Sequence, residues 1–190
     1  MKYFRKICGD KCYLSPINIE DAEQYAEWLN DMEVATRLVV ASQQINVFRE
    51  KQILEDMISN NSQIFAIIDQ ETDKLIGNCS LMRIDHPDRK AEFGIFIGDK
   101  KFWSKGYGSE AARLILDYGF NILNLNNIML RVFSFNQTAI RAYEKAGFKY
   151  MGRRRQACII AGRKYDEIFM DILAEEFESV YIGKFFPEEG

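Results

Sequence analysis

Apolar positions recur with two periods along this chain, and the switches between them mark out the elements. Lys11 to Pro16 reads as a short strand. Asn18 follows as an N-cap, and Asp21, three residues on, can complete a capping-box-like start. Ala22, Tyr25, Ala26 and Leu29 then fall at helical spacing. A second helix is predicted over Phe48 to Ser59, with Ile53, Leu54, Met57 and Ile58 on one face. Between the helices, Val34 to Val47 has no clean period and is suited to line a pocket.

Three strand-like runs come next: Gln63 to Ile68, Leu75 to Arg83 and Lys90 to Ile97. Polar turns at 69–74 and around His86-Pro87-Asp88 separate them, which suggests an antiparallel meander. The period then lengthens. Gly106 to Leu125 is helical, with Ala111, Leu114, Ile115, Tyr118 and Ile122 in one stripe. Ile128 to Phe133 is a strand, Gln137 to Ala146 a helix closed by Gly147, and Phe148 to Arg154 and Glu167 to Leu173 are two further strands. The order β-α-α-β-β-β-α-β-α-β-β predicts an α/β fold with a mixed sheet flanked by helices. The step from Lys90 to Phe133 suits a parallel pair joined by a crossover. One domain is expected over residues 1–177, with a tail over 178–190. Val180, Tyr181, Phe185 and Phe186 in the tail would dock on the domain or on a second copy, which leaves a homodimer open.

Composition narrows the function classes. The chain has 190 residues, 47% apolar and 28% charged, the balance of a globular domain with a sizeable core. A net charge of −3 and a pI near 5.4 give no positive field for a nucleic-acid backbone, so nucleic acid is not expected as the partner. Cys8, Cys12, Cys79 and Cys158 form no Cys-x-x-Cys pair, and His86 is the only histidine, so no metal site is expected. Cys79 and Cys158 read as small core hydrophobes, and Cys8 and Cys12 as free thiols. The start, Met1 to Lys6, leads into no apolar run, and no stretch reaches the roughly 20 residues that span a bilayer. A cytoplasmic protein with no membrane partner is expected.

The chemistry concentrates in two stretches. Trp103-Ser104-Lys105-Gly106-Tyr107-Gly108-Ser109-Glu110 follows a strand and opens a helix. Its glycines let backbone approach a ligand, and the free N–H groups and dipole of the first helical turn favour an anion. A dinucleotide fingerprint wants a tight turn and an acid about 20 residues on, but no Asp or Glu lies between Asp117 and Glu144. A Walker loop is absent. What remains is a phosphate cradle outside the usual nucleotide folds. In the second stretch, Asn136 through Phe148, Asn136 can cap a helix or bond a ligand amide, and Tyr143 sits one turn before the helix ends.

On these two stretches the chain resembles the GNAT superfamily of N-acetyltransferases. It is most similar to the branch holding ribosomal-protein N-terminal acetyltransferases and spermidine acetyltransferases. Leu14-Ser15-Pro16-Ile17, Asp21-Ala22, Trp28-Leu29-Asn30-Asp31 and Gly162-Arg163-Lys164-Tyr165-Asp166 extend the resemblance over roughly Lys11 to Phe177. The superfamily loop usually begins with Gln or Arg; Trp103 is a trait of this branch. The resemblance implies a GNAT-like fold and acetyl-coenzyme A as cosubstrate, its pyrophosphate on Ser104 to Ser109 and its pantetheine arm along Phe96 and Ile97, with Trp103 and Asn136 also binding the cofactor. It implies Tyr143 as general acid to the departing thiolate. Glu92, near the start of the cofactor strand, is the candidate general base. His86 and Arg153-Arg154-Arg155 read as surface. The acceptor would be a protein N-terminus, a polyamine or another small amine, and the alternative is a module that senses acetyl-coenzyme A without turnover.

Overall fold

A computed structural model of the chain describes residues 2–38, 40–60, 62–179 and 181–186. One sheet of eight strands runs through it. The strands are β1 (Ile7–Cys8), β2 (Cys12–Pro16), β3 (Gln63–Asp69), β4 (Leu75–Asp85), β5 (Lys90–Ile97), β6 (Asn127–Phe133), β7 (Lys149–Ile160) and β8 (Arg163–Leu173). Their spatial order is β1-β2-β3-β4-β5-β6-β8-β7. Every neighbouring pair is antiparallel except β5 and β6, which run parallel through a crossover containing α4 (Tyr107–Asn121). The remaining helices are α1 (Ala22–Asn30), α2 (Met32–Ala35), α3 (Val47–Ser59) and α5 (Gln137–Ala146).

Alternation along the strands sorts the core into two layers. Phe65 and Ile67 of β3 face α4, meeting Ala111, Leu114 and Ile115 in the main core. Ile64, one residue out of phase with them, faces the other way and packs with Tyr25 of α1 and Leu54 of α3. The sheet is thus covered by α4 on one face and by α1 with α3 on the other.

The β5–β6 pairing positions the site. Only Lys90, Ala91 and Glu92 pair with β6, opposite Asn127, Ile128 and Met129. Beyond Glu92 the two strands part, while β5 stays paired to β4 as far as Ile97. A wedge opens whose β5 side carries backbone groups with no strand partner. Gly77, opposite Ile97, keeps β4 close there, since a Cβ on it would meet the Phe96 carbonyl oxygen at 2.1 Å.

Several expectations are corrected. Asn18 caps a short 3-10 turn by accepting from the Glu20 N–H, but Asp21 completes no capping box: its carboxylate accepts from the Tyr3 hydroxyl and pairs with Lys2. β1 was not legible as a strand. β7 and β8 run longer than their apolar cores because a polar hairpin extends them, with register shifts between Arg154 and Cys158. Cys158 lies there only partly buried, not in the core, whereas Cys79 is fully buried. Cys8 and Cys12 are free thiols. Tail residues dock through Asp117 of α4, whose carboxylate accepts from the Ser179 hydroxyl and from the Tyr181 and Ile182 N–H groups. Phe185 and Phe186 stay exposed, and Val180 lies outside the described residues. No described helix is long and apolar enough to cross a membrane.

Candidate active site

A cleft of about 750 Å³ follows the wedge. Its walls are β5, β6, the loop into α4, and α5; its roof is Val34, Arg37, Leu38, Val40, Gln43 and Ile45 with α1 and α3. The loop bends sharply at Ser104 (φ 59°) and Gly106 (φ 90°), both left-handed. Gly106 precedes α4, and no side chain caps that helix. By contrast, Asn46 caps α3 and Asn136 caps α5. The opening N–H groups of α4 thus lack their usual side-chain partner, and Gly106, Gly108 and Ser109 line the cleft at that helix start. A Cβ on Gly108 would find nothing nearer than Ile97 Cγ1 at 4.0 Å, so backbone is approachable there.

The loop is fastened from behind. Glu110 accepts from the backbone N–H groups of Asp10, Lys11 and Cys12, tying α4 to the β1–β2 turn. The Trp103 indole donates to the Ile97 carbonyl at 2.7 Å, docking the loop on the end of β5. The Arg37 guanidinium stacks on the Trp103 ring at 4.4 Å, and Lys100 pairs with Asp31 and Glu33, so the roof is latched to the loop.

Phe96, Ile97, Trp103, Ser104, Gly106, Gly108, Ser109, Asn136, Tyr143 and Glu92 all line this cleft. Two expected residues do not. Lys105 is exposed away from it. Tyr107 turns back to donate its hydroxyl to Asp69 at 2.7 Å and packs its ring on Phe102. That bond ties the side chain to the end of β3 and pushes its phenol up to about 12. Asn136 spends its side-chain oxygen on the Ala139 N–H as a helix cap.

Tyr143 projects from α5 with its ring edge-on to Phe93 and Phe148. Burial alone pushes its phenol up to about 12, which keeps the proton on oxygen throughout neutral pH. Glu92 is placed otherwise than a base requires. It stands at the last paired position before the strands part, with Oε2 bonded to Arg83 and Oε1 to the Arg131 Nε at 2.7 Å. Arg131 also reaches Glu167 at 3.4 Å. Both Glu92 oxygens are engaged by guanidinium groups, so the geometry makes it a clamp on the wedge and does not leave it turned to an acceptor.

Sequence reasoning missed Glu50. It lies in the first turn of α3, lines the cleft and is buried, with its Oε2 lacking any hydrogen-bond partner among the described residues. Burial pushes its carboxyl up to about 7. The available signal was its spacing: Glu50 lies three and four residues before Ile53 and Leu54 and seven before Met57, on the apolar face of α3. Among the described residues, no three His, Cys, Asp or Glu side chains gather as a metal ion would need.

A family model described as an acetyltransferase (GNAT) domain matches residues 11–149. The N-acetyltransferase p20 of Bacillus licheniformis is 30% identical over 171 residues, which cover 88% of this chain and 96% of p20. Spermidine N(1)-acetyltransferase of Escherichia coli K12 is 37% identical over 101 residues, 53% of this chain and 54% of that enzyme. Among solved structures, spermidine N-acetyltransferase from Vibrio cholerae in complex with CoA and spermine matches with a TM-score of 0.79 at 26% identity. That match covers 88% of this chain and 98% of the other.

Proposed function

The chain belongs to the GNAT acetyltransferase family, and from that premise we propose that its cleft holds acetyl-coenzyme A and a primary amine together for direct transfer. It is an N-acetyltransferase that uses acetyl-coenzyme A. The observation that carries the site assignment is the uncapped N-terminus of α4 beside the point where β5 and β6 diverge. An anionic group fits the first, and an amide-bearing arm fits the second. Open space at Gly108 lets a pyrophosphate reach the N–H groups of the first turn.

The thioester supplies a carbonyl carbon open to attack. On this reading, Ser104 to Ser109 hold the phosphates, and backbone groups at Phe96 and Ile97 align the arm. Phe93 and Phe148 pack edge-on against the Tyr143 ring, which lines the cleft. That hydroxyl keeps its proton until the sulfur departs, then hydrogen-bonds or protonates it. Glu92, held by Arg83 and Arg131, fixes the width of the wedge and thereby the placement of both reactants.

Thiol release, measured with acetyl-coenzyme A and a panel of primary amines, tests the reading. Release that depends on the amine is expected. Saturable binding of acetyl-coenzyme A with no amine-dependent release would assign the chain to sensing instead of transfer.

A further inference from the structure

Acetyl-coenzyme A accounts for the walls of the cleft near α4, α5 and the wedge. It leaves unexplained the end beneath α1, the 34–45 segment and α3. Leu29, Val34, Leu38, Ile45, Leu54 and Met57 make that end apolar. One charge interrupts it. Glu50 is 3% exposed and is among the residues lining the cleft, and its buried Oε2 has no hydrogen-bond partner among the described residues.

A helix start favours an acidic residue, but that does not explain an inward one. The cap of α3 is already made, since Asn46 Oδ1 accepts the Arg49 N–H at 2.8 Å. Burying a carboxylate without a partner opposes folding, and a cationic partner that arrives later would offset that cost. The other acidic side chains lining the cleft, Glu92 and Glu167, are already bound to arginine. Arg37, Arg131, Arg141 and Lys145 line it too. Among the described residues the cleft therefore offers one uncompensated negative charge, in apolar surroundings.

Resting on the reading of this cleft as the site of acetyl transfer, we propose that Glu50 receives the ammonium group of the acceptor, and that the acceptor is an amine with one positive charge on an apolar body. A polyamine would pair one nitrogen with Glu50 and leave its others among aliphatic side chains or facing arginines, desolvated without compensation. A carboxyl raised to about 7 by burial is suited to take a proton from the bound ammonium. Over the whole step the nitrogen loses two protons. One passes through Glu50 to water, and the other ends on sulfur. The freed lone pair forms the carbon–nitrogen bond as the carbon–sulfur bond breaks, and the electron pair of that bond leaves on sulfur.

An apolar primary amine has two sources, a small aralkylamine or the free N-terminus of a peptide beginning with a large apolar residue. The test measures thiol release by the full chain with 2-phenylethylamine, a leucine-initiated peptide and spermidine, for wild type and Glu50→Gln. One of the two apolar acceptors should exceed spermidine in kcat/KM by about 10-fold or more, and which one leads identifies the source. Glu50→Gln should raise KM for that acceptor by about 10-fold or more, leave acetyl-coenzyme A affinity unchanged and not lower the melting temperature. Glu50→Asp should restore part of the loss. Spermidine ahead in the wild type, or an unchanged acceptor KM in Glu50→Gln, would overturn the proposal while acetyl transfer stands. Should the Gln variant not fold, the wild-type order of acceptors decides alone. No thiol release with any of the three would count against acetyl transfer to amines itself.

Discussion

Replacing Glu50 by Gln should stabilise the protein, and by an amount that depends on pH. Glu50 is 3% exposed and its Oε2 has no partner among the described residues. Burial alone raises its carboxyl from an ordinary 4.5 to about 7. A raised carboxyl means that the folded state disfavours the charged form. The wild type therefore loses stability as pH climbs from about 4.5 through about 7, and the loss is constant above that. A shift of this size corresponds to about 3 kcal/mol, and relaxation of the protein around the charge reduces it to about 2 kcal/mol. Tyr25, across on α1, does not titrate in this window, because burial holds its phenol well above the ordinary value. Glu92 is occupied by its arginines. Glutamine carries no charge, so the difference between the variants isolates the Glu50 ionisation. Urea unfolding of both proteins from pH 4.5 to 8 should show nearly equal stability at the acid end. The Gln variant should gain about 2 kcal/mol by pH 7.5, or roughly 4–8 °C in melting temperature. A difference independent of pH, or a wild type more stable at pH 8, would refute the claim that this carboxylate is buried without a partner.

Three further outcomes are expected. Gly108→Leu should leave the stability of the free protein within about 1 kcal/mol, because the position is open and helical. It should abolish the thermal shift given by acetyl-coenzyme A, which at 100-fold excess over Kd is worth about 2.7 kcal/mol in the wild type; a retained shift would remove the α4 loop from the site. Glu92→Gln should lower turnover by a factor that does not vary with pH, since its oxygens position Arg83 and Arg131. A deficit that shrinks as pH rises would restore it as the base.

The sequence displayed those parts of the site whose meaning is local. Gly106 sits at a left-handed position before a helix, Gly147 at another after one, and Asn136 caps the helix between 137 and 146. Each of these follows from backbone geometry within a few residues. The parts it hid depend on distant partners. Tyr107 lies in the middle of the loop motif, yet Asp69, 38 residues earlier in the chain, decides which way its ring points. Glu92 lies near the start of β5 as its sequence position indicates, but its partner Arg131 is 39 residues away on β6. Glu50 reads as an ordinary acid in a first helical turn. The period of α3 does put it on the face of Ile53, Leu54 and Met57, but a charged residue at the first turn reads as solvated there, and the packing of α3 against α1 and the sheet is what buries it.

The most direct test is a paired measurement on Tyr143→Phe. The substitution keeps the ring against Phe93 and Phe148 and removes only the hydroxyl. A group that acts as the carbon–sulfur bond breaks stabilises the transition state and not the bound reactants. Acetyl-coenzyme A affinity by calorimetry and melting temperature should both stay near wild type, while thiol release on the same sample falls by about 100-fold or more. Near-normal turnover, or a parallel loss of affinity and stability, would contradict the account.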